Sequence, residues 1–254
     1  MPTFTSPDGL TLAFHTWGSP GELPPVVLHH GFISSGRGNW EHPGIVAVLV
    51  NAGRHVVAID ARGHGASDKP HDPSCYGEQR MADDVSALAD HLDFGPFDLA
   101  GYSMGGIVAV LTAARERRVR RLVVGGIGEG VLLHGGVDRR SMTPLALAEA
   151  LRADDPATIT DPTARTFRRF ADRTGGDRLA LAAQAEAAHQ DLVDLLAITA
   201  PTLVIGGDRD PFARDIEKLA AAIPDGRAQV VPGDHVTALE SPEFAAGLRD
   251  FLAG

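Results

Sequence analysis

Ser103 stands in the run Gly101-Tyr102-Ser103-Met104-Gly105, a G-x-S-x-G spacing that can expose a serine hydroxyl as a nucleophile. In a chain with 29 glycines that spacing alone is weak evidence. Its flanks strengthen it, because Phe97 to Ala100 reads as a buried strand and Gly105 to Glu116 as a helix. A strand, a sharp turn and a helix is the setting in which glycines two before and two after the serine are needed, since a side chain there would collide with neighbouring backbone. Such a turn lifts Ser103 to the carboxyl end of the sheet and leaves the next N–H at a helix N-terminus. A hydroxyl is a poor nucleophile at neutral pH, so a base must take its proton and an acid must hold that base. After Ser103 the histidines are His134, His189 and His235, and only His235 follows the last strand pattern. For the acid, Asp208 and Asp210 lie just past one strand pattern and Glu129 lies past another.

The elements that must position these groups alternate between short β-branched runs and longer helical stretches, the pattern of an α/β fold. Thr3 to Thr5 and Leu10 to Trp17, across Ser6-Pro7-Asp8-Gly9, read as a hairpin. Strands are expected at Val26–His29, Val56–Ile59, Asp98–Ala100, Leu122–Val124, Leu203–Ile205 and Gln229–Val231, each apolar on both faces as central parallel strands are. Helices are expected at Ile45–Asn51, Ala82–Leu92, Gly105–Glu116, Ile216–Ile223 and Pro242–Leu252. Between Glu129 and Ile198 the alternation stops: Leu145–Arg152, Ala164–Thr174 and Leu179–Leu196 are helix-like with no strand between them. The expected organisation is therefore a core of residues 1–128 and 198–254 with an inserted helical cap at 129–197. Within that cap Leu133, Met142, Leu145, Phe167 and Phe170 are apolar residues available to roof a pocket.

With the serine turn in its strand and helix context, the sequence resembles the α/β-hydrolase superfamily over nearly its whole length. Further motifs in the family's order are His29-His30-Gly31-Phe32, Asp60-Ala61-Arg62-Gly63-His64-Gly65-Ala66-Ser67, Gly207-Asp208-Arg209-Asp210-Pro211 and Gly233-Asp234-His235. The resemblance implies a mostly parallel eight-stranded-type sheet flanked by helices. It also implies Ser103 as nucleophile, His235 as base and Asp210 as the acid, since the family's Gly-x-x-Asp-Pro falls on Gly207 and Asp210. Asp208 is then left as a loop or capping residue, with Glu129 the other alternative acid. The backbone N–H groups of Phe32 and Met104 are implied as donors to the oxyanion, while His30 reads as a hydrogen-bonded turn residue and Asp60, Arg62 and His64 as packing near the site. The activity implied is hydrolysis of a carboxylic ester, thioester or lactone through an acyl-enzyme. A serine at this turn argues against relatives that need a carboxylate nucleophile, and the cap has no lysine of the kind hydroxynitrile lyases use. Two alternatives stand: a carbon–carbon bond hydrolase of ring-cleavage products, suggested by the loop Ser34-Ser35-Gly36-Arg37-Gly38-Asn39-Trp40, and a slow-turnover small-molecule receptor on the same fold.

Composition bounds the partners. A chain of 254 residues that is 44% hydrophobic can bury a full core, and a net charge of -10 gives no electrostatic reason to bind nucleic acid or anionic lipid. The expected partner is a small ester-like molecule. No metal-ligand spacing, phosphate loop or dinucleotide fingerprint appears, so no cofactor is required. A single cysteine, Cys75, cannot form an internal disulfide, and no run approaches the roughly 20 apolar residues of a membrane span, which together suggest a cytoplasmic protein. The sequence shows no clear stripe that would set an oligomeric state.

Overall fold

The computed structural model describes residues 1–136, 138, 140 and 142–254. Its strands are β1 (Thr3–Thr5), β2 (Thr11–Trp17), β3 (Val26–His29), β4 (Val56–Ile59), β5 (Phe97–Tyr102), β6 (Val119–Gly125), β7 (Thr202–Gly207) and β8 (Gly226–Val231). They form one sheet in the order β1-β2-β4-β3-β5-β6-β7-β8. β1 pairs with β2 and β2 with β4 antiparallel, and every later pair is parallel. The expected hairpin forms with Phe4 opposite Leu12. The helices among the described residues are α1 (Ile45–Asn51), α2 (Glu78–His91), α3 (Met104–Ala113), α4 (Gly130–His134), α5 (Pro144–Arg152), α6 (Pro162–Thr174), α7 (Arg178–Glu186), α8 (Ile216–Ala221) and α9 (Pro242–Ala253).

Alternation along the central strands sends successive side chains to opposite faces, and both faces are covered. Val27, Val57, Leu99, Val124 and Val204 pack with α2, α3 and α8, while Val26, Leu28, Ala100, Val123 and Ile205 pack with α1 and α9. This double burial is why β4 is a wholly apolar run, and β3 one up to its last residue, His29, rather than alternating ones. α3 has no solvent face: all ten of its residues are buried.

Between β6 and β7 the chain runs through α4 to α7, with no strand among the described residues. These helices are short, and side-chain caps fix their starts. Thr143, Asp161 and Asp177 accept the N–H groups of Ala146, Ala164 and Ala180, with Pro144 and Pro162 at the first helical positions of α5 and α6. Leu147, Leu151, Ile159, Ala171 and Leu181 form a small core of their own, joined by Ile33 and Met142. Three sequence expectations need correcting. β8, expected to be apolar on both faces like a central strand, is the edge strand of the sheet and leaves most of its residues unburied. α4 is an additional helix, and the helix expected to run from Leu179 to Leu196 ends at Glu186, because beyond it the N–H of His189 donates to the Glu78 carboxylate at 2.6 Å instead of continuing the helical ladder.

Candidate active site

The parallel strands β3, β5, β7 and β8 end at one edge of the sheet, and the four loops that leave them carry the sequence motifs singled out above. His29 pairs in register with Gly101, and Gly207 with Val231, so those loops start level with one another. Ser103 follows β5 with φ 56° and ψ −119°, a left-handed conformation that side chains disfavour. It is held there by its N–H donating to the Gly125 carbonyl at 2.8 Å and by its carbonyl accepting the Gly106 N–H at 2.8 Å. The flanking glycines are required by space. A Cβ on Gly101 would overlap the Gly105 carbonyl, and one on Gly105 would overlap the carbonyl oxygens of His29 and His30.

Ser103 Oγ lies 2.9 Å from His235 Nε2, and His235 Nδ1 lies 2.8 Å from Asp210 Oδ2. The Asp210 side chain is fully buried and that of His235 is 20% exposed. A carboxylate can only accept, so the proton sits on Nδ1 and Nε2 is free to accept from the Ser103 hydroxyl. Asp210 Oδ1 accepts the Phe212 N–H at 2.8 Å, which fixes the carboxyl plane. The loop bearing His235 is anchored by Tyr102, whose hydroxyl donates to the His235 carbonyl at 2.8 Å, and Phe212 packs on the imidazole with ring centres 4.8 Å apart.

The other candidates have different partners. Asp208 accepts the Gly233 N–H at 2.9 Å and so ties the loop after β7 to the loop after β8. Glu129 is held by Arg140 and Lys218, which keep its carboxyl well below the usual range. His134 and His189 lie half-buried in the excursion between β6 and β7.

His30 is buried, with Nε2 accepting the Ala61 N–H at 2.9 Å and Nδ1 donating to the Gly31 carbonyl at 2.7 Å, so it bridges two loops as a neutral ring. Burial, with help from neighbouring His29, pushes it down to about 4. Burial likewise lowers His29 to about 4 and His64 to about 3. Asp60 accepts the N–H groups of Gly36 at 2.8 Å and Ala66 at 3.0 Å, while Arg62 grips Asp84 and Asp8. These groups are spent on holding loops together.

Phe32, Ser103, Met104, Met142, Phe167, Phe212 and His235 share a cavity of about 60 Å³. Of the apolar residues singled out between 129 and 197, Met142 and Phe167 line it, whereas Leu133 and Leu145 are exposed and Phe170 does not line it. Met104 opens α3, where first-turn N–H groups have no acceptor within the helix. Phe32 follows Gly31, whose N–H donates to Asn39 Oδ1 at 3.0 Å, so the loop 34–40 serves to seat the turn beside Ser103. Sequence reasoning missed Tyr102, Asn39, Glu78 and Gln184. Asn39 and Tyr102 had a signal, their places in the Gly-rich loop and in the serine turn, and Glu78 and Gln184 had none.

Several known proteins are similar to this chain. A family model described as alpha/beta hydrolase fold matches residues 24–194. A dihydrolipoyllysine-residue acetyltransferase component of the acetoin cleaving system from Pseudomonas putida is 31% identical over 92% of this chain, which spans 64% of that protein's length. A 3-oxoadipate enol-lactonase from Acinetobacter baylyi is 28% identical, covering 96% of this chain and 95% of the relative. Among solved structures, an esterase from Thermogutta terrifontis superposes with a TM-score of 0.75 at 27% identity, covering 99% of this chain and 96% of that one.

Proposed function

We propose that this chain, which belongs to the α/β-hydrolase fold family, is a serine hydrolase that cleaves carboxylic esters, thioesters or lactones of small molecules through an acyl-enzyme. The observation that carries the reading is the hydrogen-bonded series from Ser103 Oγ through His235 to Asp210. Ser103 attacks the acyl carbon while His235 Nε2 takes its proton. Asp210 stabilises the imidazolium that forms, and His235 then returns the proton to the leaving oxygen. Water attacks the acyl-Ser103 by the same route in reverse. Backbone N–H groups of Met104 and Phe32 are the donors we assign to the oxyanion. The chemistry needs no metal or cofactor. The relative named as an enol-lactonase and the structure named as an esterase support ester and lactone substrates, since a lactone is a cyclic ester.

In the same reading residues 129–197 act as a cap on the core formed by 1–128 and 198–254, and the residues they contribute to the cavity select the substrate. We take the enzyme to be cytoplasmic, in keeping with its single, unpaired Cys75. No described helix is long and apolar enough to cross a membrane.

The test is Ser103→Ala assayed on a short-chain chromogenic ester. The substitution removes the nucleophile and almost no packing, so kcat should fall by at least about a thousand-fold in a protein with unchanged circular dichroism. Wild-type turnover must continue beyond one equivalent of product. A folded mutant with wild-type rates, or a wild type that stops after one equivalent, refutes the reading.

A further inference from the structure

The cavity that holds Ser103 has two polar lining residues that the hydrolysis scheme leaves without a task, Glu78 and Gln184. Glu78 is the first residue of α2 and is buried. Its carboxylate accepts the His189 N–H at 2.6 Å, and Gln184 Nε2 approaches it at 3.4 Å. The Gln184 carbonyl in turn accepts the Gly77 N–H at 3.3 Å, which fixes the amide with its donor end toward the acid. Among the described residues every partner of Glu78 is an uncharged donor, and no ion pair includes it. A buried carboxylate without a cation is costly, and burial accordingly raises this carboxyl to about 7. Apart from these two and the pair Ser103 and His235, the cavity lining is apolar among the described residues, so no described residue there supplies the missing positive charge.

We propose that Glu78, steadied by Gln184, binds a primary ammonium group of the substrate, so that the preferred esters carry a positive charge a few bonds from the ester carbon. The inference rests on the hydrolase reading above and names its substrate class. An ammonium ion gives the buried carboxylate both the countercharge and the hydrogen bonds that the protein withholds. The net charge of -10 favours the approach of a cation.

Other charges near Glu78 are already committed. On its own helix Arg80 is paired with Asp8, Asp84 with Arg62, and Asp83 with Arg115, which lies just past the end of α3. From the segment after α7, burial keeps His189 toward its neutral form. Across the cavity stands His235.

The experiment compares kcat/KM for the methyl esters of 3-aminopropanoic and 6-aminohexanoic acids with those of the alkanoates that carry a methyl in place of the ammonium. Taking the ratio cancels the protonation of His235, which acts on both esters alike. In the wild type the ratio should exceed one and rise with pH through about 7 as Glu78 ionises. In Glu78→Gln it should fall about thirty-fold or more and lose its pH dependence. A ratio at or below one for both lengths in the wild type, or the same pH-dependent ratio in the mutant, overturns the proposal. A second arm is independent of turnover: calorimetry of n-butylammonium against 1-butanol should show binding of the cation to the wild type and its loss in Glu78→Gln. If no ester is hydrolysed but the cation binds through Glu78, the hydrolase reading fails and the cation site stands. If esters are hydrolysed and the wild type does not bind the cation, or the mutant binds it equally, the cation site fails alone.

Discussion

Replacing Asp210 by Asn keeps the shape of the side chain and changes what it says to His235. Asp210 Oδ1 accepts the Phe212 N–H at 2.8 Å, and that donor selects the orientation of an amide in the same place: oxygen toward Phe212, NH2 toward His235 Nδ1. Nδ1 must then accept, so the ring proton moves to Nε2 and points at Ser103 Oγ, 2.9 Å away. The base is left holding a proton where it should receive one, and the imidazolium formed during reaction loses its buried counter-charge. In the reference serine protease triad this substitution lowers kcat about ten-thousand-fold, equivalent to roughly 5 kcal/mol of transition-state stabilisation, and the burial of Asp210 argues for a similar loss here. The neighbouring Asp208→Asn is the control. Asp208 Oδ1 accepts the Gly233 N–H at 2.9 Å, a bond an amide oxygen also makes, so the rate should change by no more than a few-fold. Both mutants are assayed by initial rate on one chromogenic ester, with melting curves to show that they are folded. Equal rates in the two mutants, or the larger loss in Asp208→Asn, would refute the assignment of the acid.

Two further outcomes follow from the packing. His29, His30 and His64 are neutral in the fold with proton affinities lowered to about 4, 4 and 3, so the stability tied to them is complete above about 6.5, where the unfolded residues are neutral too, and is lost as pH falls from there toward 4. One such group is worth on the order of 3 kcal/mol, and the three together outweigh the stability that the raised carboxyls of Glu78 and Asp84 gain over the same fall, so the urea midpoint should drop between pH 7 and pH 4.5; an unchanged midpoint would show that these rings are not held neutral. Gly105→Ala forces a Cβ against the carbonyl oxygens of His29 and His30, which are backbone and cannot swing aside, so the melting temperature should fall by more than about 5 °C or the protein should not accumulate folded. A melting temperature within a degree of the wild type would mean that the turn has more room than described.

Much of the sheet was legible because its strands announce themselves twice, as apolar runs and through the glycines that close them. The starts of β3, β4 and α1 and their ends coincide with the runs read from sequence. That Ser103, Asp210 and His235 meet was legible because each follows a strand, and strands that run parallel must end at one edge. What sequence could not supply was anything decided between distant segments. α7 stops at Glu186 because Glu78, more than a hundred positions earlier, takes the N–H of His189. Glu78 itself lay outside the helix expected at Ala82–Leu92, since no apolar period marks the first turn of α2. Tyr102 reads as one more buried aromatic until its hydroxyl is seen on the His235 carbonyl.

The left-handed backbone at Ser103 has a consequence for how folding can be watched. Nothing local to residues 101–105 prefers φ 56° at a serine; the surrounding strands impose it, through the Gly125 carbonyl on one side and an α3 with no face for solvent on the other. A chain whose sheet has loosened lets that residue relax to an ordinary extended or helical conformation, and the hydroxyl leaves its base long before the polypeptide loses all its helix. A serine-directed organophosphorus label, applied briefly during heating or denaturant titration, would therefore count molecules with an intact sheet edge one by one, and its signal should vanish ahead of the far-ultraviolet dichroism.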